Sequence, residues 1–286
     1  MNKSDPIPVQ IHKGRGLIKN NHKTQTPKYF VFDLDETIGA FSDLYILYKC
    51  LIDLHINYPI ESFIKDQLSI FPEFLRYGML TIFKYISQQK QKGLCNGIYI
   101  YTNNTCIPVS WTTHIINFIE TEIDQPNFFN CVIRAFKING EILECKRTTT
   151  HKTYDDLIQC VDIPDDTEVC FIDDSLHMKM MHRYVLYIQP LMYSHHLTQN
   201  EIINRFIDNY TPKNPSLKPS IVAWYTKQGY KIDTSVKTRA NLEVDIEVTK
   251  KIFYHIKKFF YVGTKRLFTK SIRIESNRKT RKNRLD

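Results

Sequence analysis

Two acidic groups stand out in this chain by where they fall. Asp33-Leu34-Asp35 follows directly on the apolar run Tyr29-Phe30-Val31-Phe32, and Asp173-Asp174 follows on Glu168-Val169-Cys170-Phe171-Ile172. Side chains two apart on a strand share a face, so Asp33 and Asp35, where the chain unwinds past a strand, can aim into one small volume. Two carboxylates held close repel unless a cation lies between them, which suggests Mg²⁺. Asp173 and Asp174 could complete an oxygen-rich shell, because Mg²⁺ takes one or two protein carboxylates, keeps waters and accepts phosphate oxygens. One acidic pair alone is as readily a turn or a helix cap. Two pairs, each at the end of an apolar run, make a shared site the better reading.

Runs of aromatic and β-branched residues without alternation indicate strands buried on both faces. Three such runs are 29–32, Gly97-Ile98-Tyr99-Ile100-Tyr101 and 168–172, and Tyr184-Val185-Leu186-Tyr187-Ile188 is a fourth. Between them, 41–58 and 60–92 have helical texture, with Leu44, Leu47, Leu51 and Leu54 at three-to-four spacing. Pro108 opens a helix expected to reach Glu122, and another runs from about Thr153 to Cys160. Residues 131–145 read as a β-hairpin about Asn139-Gly140, the strongest short hairpin signal available. Strands alternating with helices imply a doubly wound parallel α/β sheet, whose chemistry gathers outside the carboxyl ends of its strands. Here those ends carry Asp33 and Asp35, Thr102 and Asn103, and Asp173 and Asp174.

Other chemistry-bearing residues give weaker signals. His195-His196 has no ligand partner at helical spacing and reads as a loop near the site. His151 beside Lys152 reads as a surface residue, and Cys106 as packing at a helix start rather than a nucleophile. No Gly-rich phosphate loop is present, which disfavours an ATP-using kinase.

The order of these motifs resembles the haloacid dehalogenase-like (HAD) superfamily of phosphohydrolases. Its strand followed by Asp-x-Asp-x-Thr is matched by Phe32-Asp33-Leu34-Asp35-Glu36-Thr37, and its strand ending in Thr or Ser by Ile98 to Asn103. Its Lys before the last motif is matched by Lys152, with Lys146 and Arg147 as alternatives, and its terminal acidic pair by Phe171-Ile172-Asp173-Asp174-Ser175. The match spans about residues 29–190. The Asp-Leu-Asp-Glu-Thr form looks like the carboxy-terminal-domain (FCP/SCP-type) protein phosphatases, and the sequence after it like their homologues in large DNA viruses.

The resemblance implies a HAD-like Rossmannoid sheet with a helical insert after the first motif strand, 38–96, as a crossover or small cap, plus the β-hairpin insert. It implies a Mg²⁺-dependent phosphomonoester hydrolase for phosphoserine or phosphothreonine in proteins. Asp33 would be the nucleophile and Asp35 the general acid/base. Mg²⁺ would be held by Asp33, Asp173 and the Asp35 carbonyl, with Asp174 binding through water or steadying Lys152. Thr102 and Asn103 would grip the phosphoryl oxygens, Thr37 would brace the loop beside them, and Lys152 would neutralise charge on the phosphoryl group.

Composition bounds the rest. The 286 residues are 42% hydrophobic, enough for a sizeable core, and carry net charge +9. Residues 1–28 hold six Lys/Arg against Asp5 alone, 29–249 hold 20 basic against 27 acidic groups, and 250–286 hold 13 basic groups against Glu275 and Asp286. The expected organisation is therefore a flexible basic arm over 1–27, a catalytic domain over 28–210, a helical extension over 211–263 and a basic tail over 264–286. The tail would attract nucleic acid or another acidic surface, which keeps a nucleic-acid end phosphatase and an idle packaging scaffold as alternatives. The segment 250–262 alternates Lys with Phe, Tyr and Ile, and reads as a helix packed on the domain rather than on a membrane. Seven cysteines without a C-x-x-C pair, no apolar run of membrane-spanning length and no signal-peptide stretch point to a reducing, intracellular setting. A viral origin would put the protein in the nucleus, a viral factory or the virion.

Overall fold

The computed structural model describes residues 9–19, 28–232 and 239–261. In chain order it contains β1 (Val9–Lys13), α1 (Gly16–Lys19), β2 (Lys28–Phe32), α2 (Ser42–Asp53), α3 (Ile60–Ile70), α4 (Met79–Gln91) and β3 (Gly97–Tyr101). Then follow α5 (Ser110–Glu122), β4 (Cys131–Ile133), β5 (Lys137–Ile138), β6 (Glu141–Ile142), α6 (Tyr154–Val161), β7 (Glu168–Ile172) and β8 (Val185–Pro190). Helices α7 (Gln199–Asn209), α8 (Leu217–Lys227) and α9 (Arg239–Tyr261) close the described chain.

The central sheet has the order β1-β8-β7-β2-β3-β4. All its neighbours pair in parallel except the edge strand β1, which runs antiparallel to β8. The first parallel strand, β2, lies mid-sheet; the chain winds outward from it to β3 and β4, then returns to β7 and β8 on its other side. The sheet therefore reverses its winding between β2 and β7, the kind of crevice where open α/β sheets place ligands.

Alternation inside the buried strands divides the core in two. Phe30, Phe32, Ile98, Ile100, Cys170 and Ile172 face one layer; Val31, Tyr99, Tyr101, Val169 and Phe171 face the other. The first layer is deep. It takes Leu44, Leu47, Phe63, Phe74 and Phe83 from the 38–96 insert, Trp111 and Ile115 from α5, and Ile221, Ile252 and Phe260 from the last helices. The insert is thus part of the wall that covers the sheet, and so are the helices past residue 211. The second layer is thin, with Leu157 and Ile158 of α6 and Met180 of the 173–184 connection.

Two expectations need correction. The lead, expected to be flexible through residue 27, contributes a strand at Val9–Lys13 and buries Leu17. Val9 and Ile11 alternate with Gln10 and His12, the period of a half-buried edge strand, and β8 offers an unpaired edge to receive them. The hairpin expected over 131–145 is shorter: Cys131–Ile133 joins the central sheet beside β3, and only β5 and β6 pair about Asn139-Gly140. Both turn residues have positive φ, 51° and 89°, as a two-residue hairpin of this hand requires. The segment 250–261 packs inward as expected, burying Ile252, Ile256, Phe259 and Phe260. The outer parts of the basic arm, residues 1–8 and 20–27, and the tail over 264–286 lie outside the described residues.

Candidate active site at the carboxyl ends of the strands

The backbone ladder carries both acidic motifs one residue past their strands. The Asp33 N–H donates to the Ile172 carbonyl at 2.9 Å and the Asp173 N–H to the Ile188 carbonyl at 3.2 Å. Asp33 and Asp173 therefore leave neighbouring strands side by side, at the point where the winding reverses. Carboxylate oxygens of Asp33, Asp173 and Asp174 all lie within 4.8 Å of one another, an acidic triad that could hold a metal ion. Its donors are all oxygen, which suits a hard cation. Asp35 is outside the triad; its Oδ2 accepts from Asn104 Nδ2 at 2.9 Å.

Lys152 reaches this cluster from the chain before α6. Its Nζ is hydrogen-bonded to Asp33 Oδ1 and lies 2.7 Å from Asp173 Oδ2, with only 3% of the side chain exposed. Thr153 caps α6 by accepting the Asp156 N–H at 3.0 Å, which fixes Lys152 just ahead of the helix. The alternatives are placed otherwise. Lys146 is exposed, its Nζ 3.5 Å from the Cys160 carbonyl. Arg147 is buried but spends its guanidinium on the carbonyls of Thr102, Arg134, Thr150 and His151, at 2.7–3.3 Å. Arg147 thus clamps the loop that presents Lys152.

Thr102 is buried at the end of β3, and its Oγ1 accepts the Asn104 N–H at 2.9 Å, while Asn103 is exposed beside it. Thr37 lies on the acidic pair, its hydroxyl donating to Asp174 Oδ1 and accepting the Asp174 N–H, both at 2.9 Å. It braces Asp174 against the first motif. The turn after Asp35 is strained: Glu36 has φ 58°, a conformation L side chains seldom hold without support. Support comes from Arg76, fully buried, which donates to the carbonyls of Glu36 and Thr37 at 2.7 Å and of Leu191 at 2.8 Å. The Tyr193 N–H adds a bond to the Glu36 carbonyl at 2.8 Å.

Burial sets the electrostatics. It raises Asp33 against the opposing pull of Lys152. It also works to raise Asp173, but Lys152 and His177 outweigh it and hold that carboxyl below its ordinary range. Asp35 and Asp174 are raised, again chiefly by burial, with Asn104 and Thr37 opposing. Glu36 is pushed up to about 7 by burial beside Asp35 and Asp174. Lys152 is held above its ordinary value because its two aspartates outweigh its burial. The cluster therefore contains one carboxylate stabilised in its charged form and several biased toward holding a proton.

These groups line a cavity of about 470 Å³. Its apolar lining comes from Phe41, Tyr45 and Ile46 around the start of α2 and from Cys106 and Trp111. Burial pushes the Cys106 thiol up to about 12, which keeps it protonated and unlike a nucleophile. His151 is exposed, and His195 faces Asp43 at 2.9 Å with its ring against Phe74, a loop contact outside the cavity lining.

The structure brings Asp33, Asp35, Thr102, Asn103, Lys152, Asp173 and Asp174 to one cavity and sets Thr37 behind it. Sequence reasoning missed Asn104, which stands in the same polar run as Thr102. It missed His177, whose Nε2 lies 3.3 Å from Asp173 Oδ2 and whose signal is its place four residues on. It also missed Arg76, a lone Arg in a helical stretch that no spacing marks. Comparison with family models, with curated proteins and with solved structures finds no match to this chain.

Proposed function

We propose that the chain is a Mg²⁺-dependent phosphomonoester hydrolase working through a phosphoryl group carried on Asp33. One observation carries this reading: the two carboxyl groups of Asp33 and Asp35, a buried ammonium bonded to the first of them and the Thr102 hydroxyl meet in one cavity where the sheet reverses its winding. A binding module has no need of that combination. The motif order that resembles the HAD superfamily supports the same chemistry.

An Asp33 carboxylate oxygen attacks phosphorus, and the bond from phosphorus to the ester oxygen breaks. Asp35, oriented by Asn104, gives its proton to the departing oxygen. Water then attacks the phosphorus of the acyl phosphate while Asp35 takes back a proton, releasing phosphate and restoring Asp33. Lys152 offsets charge on Asp33 and on the phosphoryl oxygens, and Thr102 and Asn103 hold those oxygens in place. Asp33, Asp173 and Asp174 would hold Mg²⁺, which supplies charge neutralisation on the phosphoryl group when bound.

The 38–96 insert buries most of its large apolar residues in the layer on the sheet and lends the cavity Phe41, Ser42, Tyr45 and Ile46. An insert that covers the sheet rather than forming a separate cap favours a phosphorylated protein side chain; the FCP/SCP-type resemblance points to phosphoserine or phosphothreonine. Phenyl phosphate hydrolysis should require Mg²⁺, stop with chelator and fall at least a thousandfold in Asp33→Asn, whose circular dichroism stays that of the parent. Full activity in that variant would remove Asp33 as nucleophile.

A further inference from the structure

From the apolar residues that line the same cavity as the aspartates we infer the substrate's chemical class: a phosphomonoester with an uncharged, ring-sized apolar group next to its ester oxygen. The inference rests on the phosphohydrolase reading of the same cavity.

Charge gives the first argument. Five acidic side chains line the cavity, and Lys152 is the one Lys or Arg among the described residues lining it. A phosphoryl dianion is accommodated because Lys152 and a bound cation meet it directly. A further anion on the alcohol part finds no second Lys or Arg among those lining residues, only His177, already 3.3 Å from Asp173 Oδ2, and faces the acidic side chains at low effective dielectric. A nucleotide, an oligonucleotide end or a sugar bisphosphate is therefore poorly matched.

The apolar wall gives the second. Tyr45 is half-buried and lines the cavity. Its hydroxyl donates to the Ile107 carbonyl at 3.2 Å and accepts the Ile107 N–H at 3.1 Å. Its ring meets the fully buried Trp111 edge-on at 5.1 Å, and Trp111 in turn meets Tyr48 at 5.9 Å. The phenol is satisfied by backbone and the ring is backed by a second ring, so Tyr45 is a fixed apolar surface rather than a mobile side chain. Ile46 lines the cavity beside it, and Ile107, bonded to the Tyr45 hydroxyl through its backbone, is 52% exposed. A preformed aromatic surface loses little conformational freedom on binding and pairs favourably with a flat or aliphatic group.

The test compares matched probes on the full chain with Mg²⁺: phenyl phosphate against 4-carboxyphenyl phosphate, and a phosphoserine peptide with Phe against the same peptide with Asp beside the phosphoserine. The first pair reads a ring on the ester itself, the second a ring on a neighbouring residue. Turnover at least about tenfold better for the neutral member of either pair is expected. Tyr45→Ala should lose about tenfold more on that favoured substrate than on glycerol phosphate, and Tyr45→Phe should keep the preference. Calorimetric binding of phenylphosphonate and 4-carboxyphenylphosphonate reads the same wall without turnover. Preference in binding with no turnover of any probe leaves the apolar subsite standing and removes the hydrolase. Turnover or binding with equal efficiency for neutral and charged members, unchanged in Tyr45→Ala, overturns the inference.

Discussion

Lys152 sits between Asp33 and Asp173 as the ammonium that lets two buried carboxylates share a site. Removing one partner of a buried ion pair leaves an uncompensated charge, at a cost of about 3–5 kcal/mol. Lys152→Met should therefore lower the thermal midpoint by roughly 5–15 °C in metal-free buffer for a chain of this size. A cation binding the same aspartates replaces part of the lost charge, so saturating Mg²⁺ should restore more of the midpoint in the variant than it adds to the parent. Scanning calorimetry with and without Mg²⁺ checks both. An unchanged midpoint without metal would mean that the ammonium carries no electrostatic burden there. The aspartates were legible in the sequence because each pair follows an uninterrupted apolar run, and Lys152 because it precedes a recognisable helix start. Arg147 was not separable from Lys152 by sequence alone: both precede the same helix, and only the fold shows one clamping carbonyls while the other meets carboxylates.

At the scale of elements, the turn that follows Asp35 depends on a helix connection far from it in sequence. Arg76 lies between α3 and α4 and ties the Glu36 and Thr37 carbonyls to that of Leu191, past β8. Hydrogen bonds from charged donors contribute about 1.5–3 kcal/mol each. Arg76→Met should cost about 3 kcal/mol or more in denaturant unfolding, and Arg76→Lys less. Because Glu36 relies on these bonds to hold its positive φ, the Met variant should also lower kcat about tenfold while KM changes little, measured at a temperature where circular dichroism shows the variant fully folded, so that lost enzyme is not read as lost rate. A raised KM with kcat unchanged would place the effect in substrate binding instead. No periodicity reveals such a link, since an Arg that bonds only backbone carbonyls has no partner residue to read. The same limit explains β4: Val132-Ile133 suited either a hairpin arm or a buried edge strand, and the vacancy beside β3 decided it. β1 was overlooked because the prolines and lysines around it mask five alternating residues.

The molecule as a whole is built unevenly about its sheet, with most helices on one face and α6 with a short connection on the other. The thick layer includes α9, whose Phe259 meets Phe30 edge-on at 5.5 Å while Lys28 donates to the Phe259 carbonyl and pairs with Glu168 at 3.5 Å. The last described helix therefore seals the strand that carries Asp33. Phe259→Ala should cost about 3–5 kcal/mol in chemical denaturation, and unfolding should remain a single transition because the buried apolar residues described past 211 belong to the same core as the sheet. A transition that splits in two would show the extension to be a domain of its own. In the sequence this extension looked like an appendage, since prolines and a change of composition precede it; its inward stripe of Ile252, Ile256 and Phe259 was the signal that it belongs to the core.

The most direct test concerns the bond the account places on Asp33. Asp35→Asn, mixed with 4-nitrophenyl phosphate and Mg²⁺, should release nitrophenolate without help from the missing acid, yet hydrolyse the acyl phosphate slowly. Acid quenching, borohydride reduction of the acyl phosphate and peptide mass spectrometry then locate the phosphorylated side chain. The account predicts the reduced product at position 33 and nowhere else. Nitrophenolate release with reduction at another carboxylate, or at none, would contradict it.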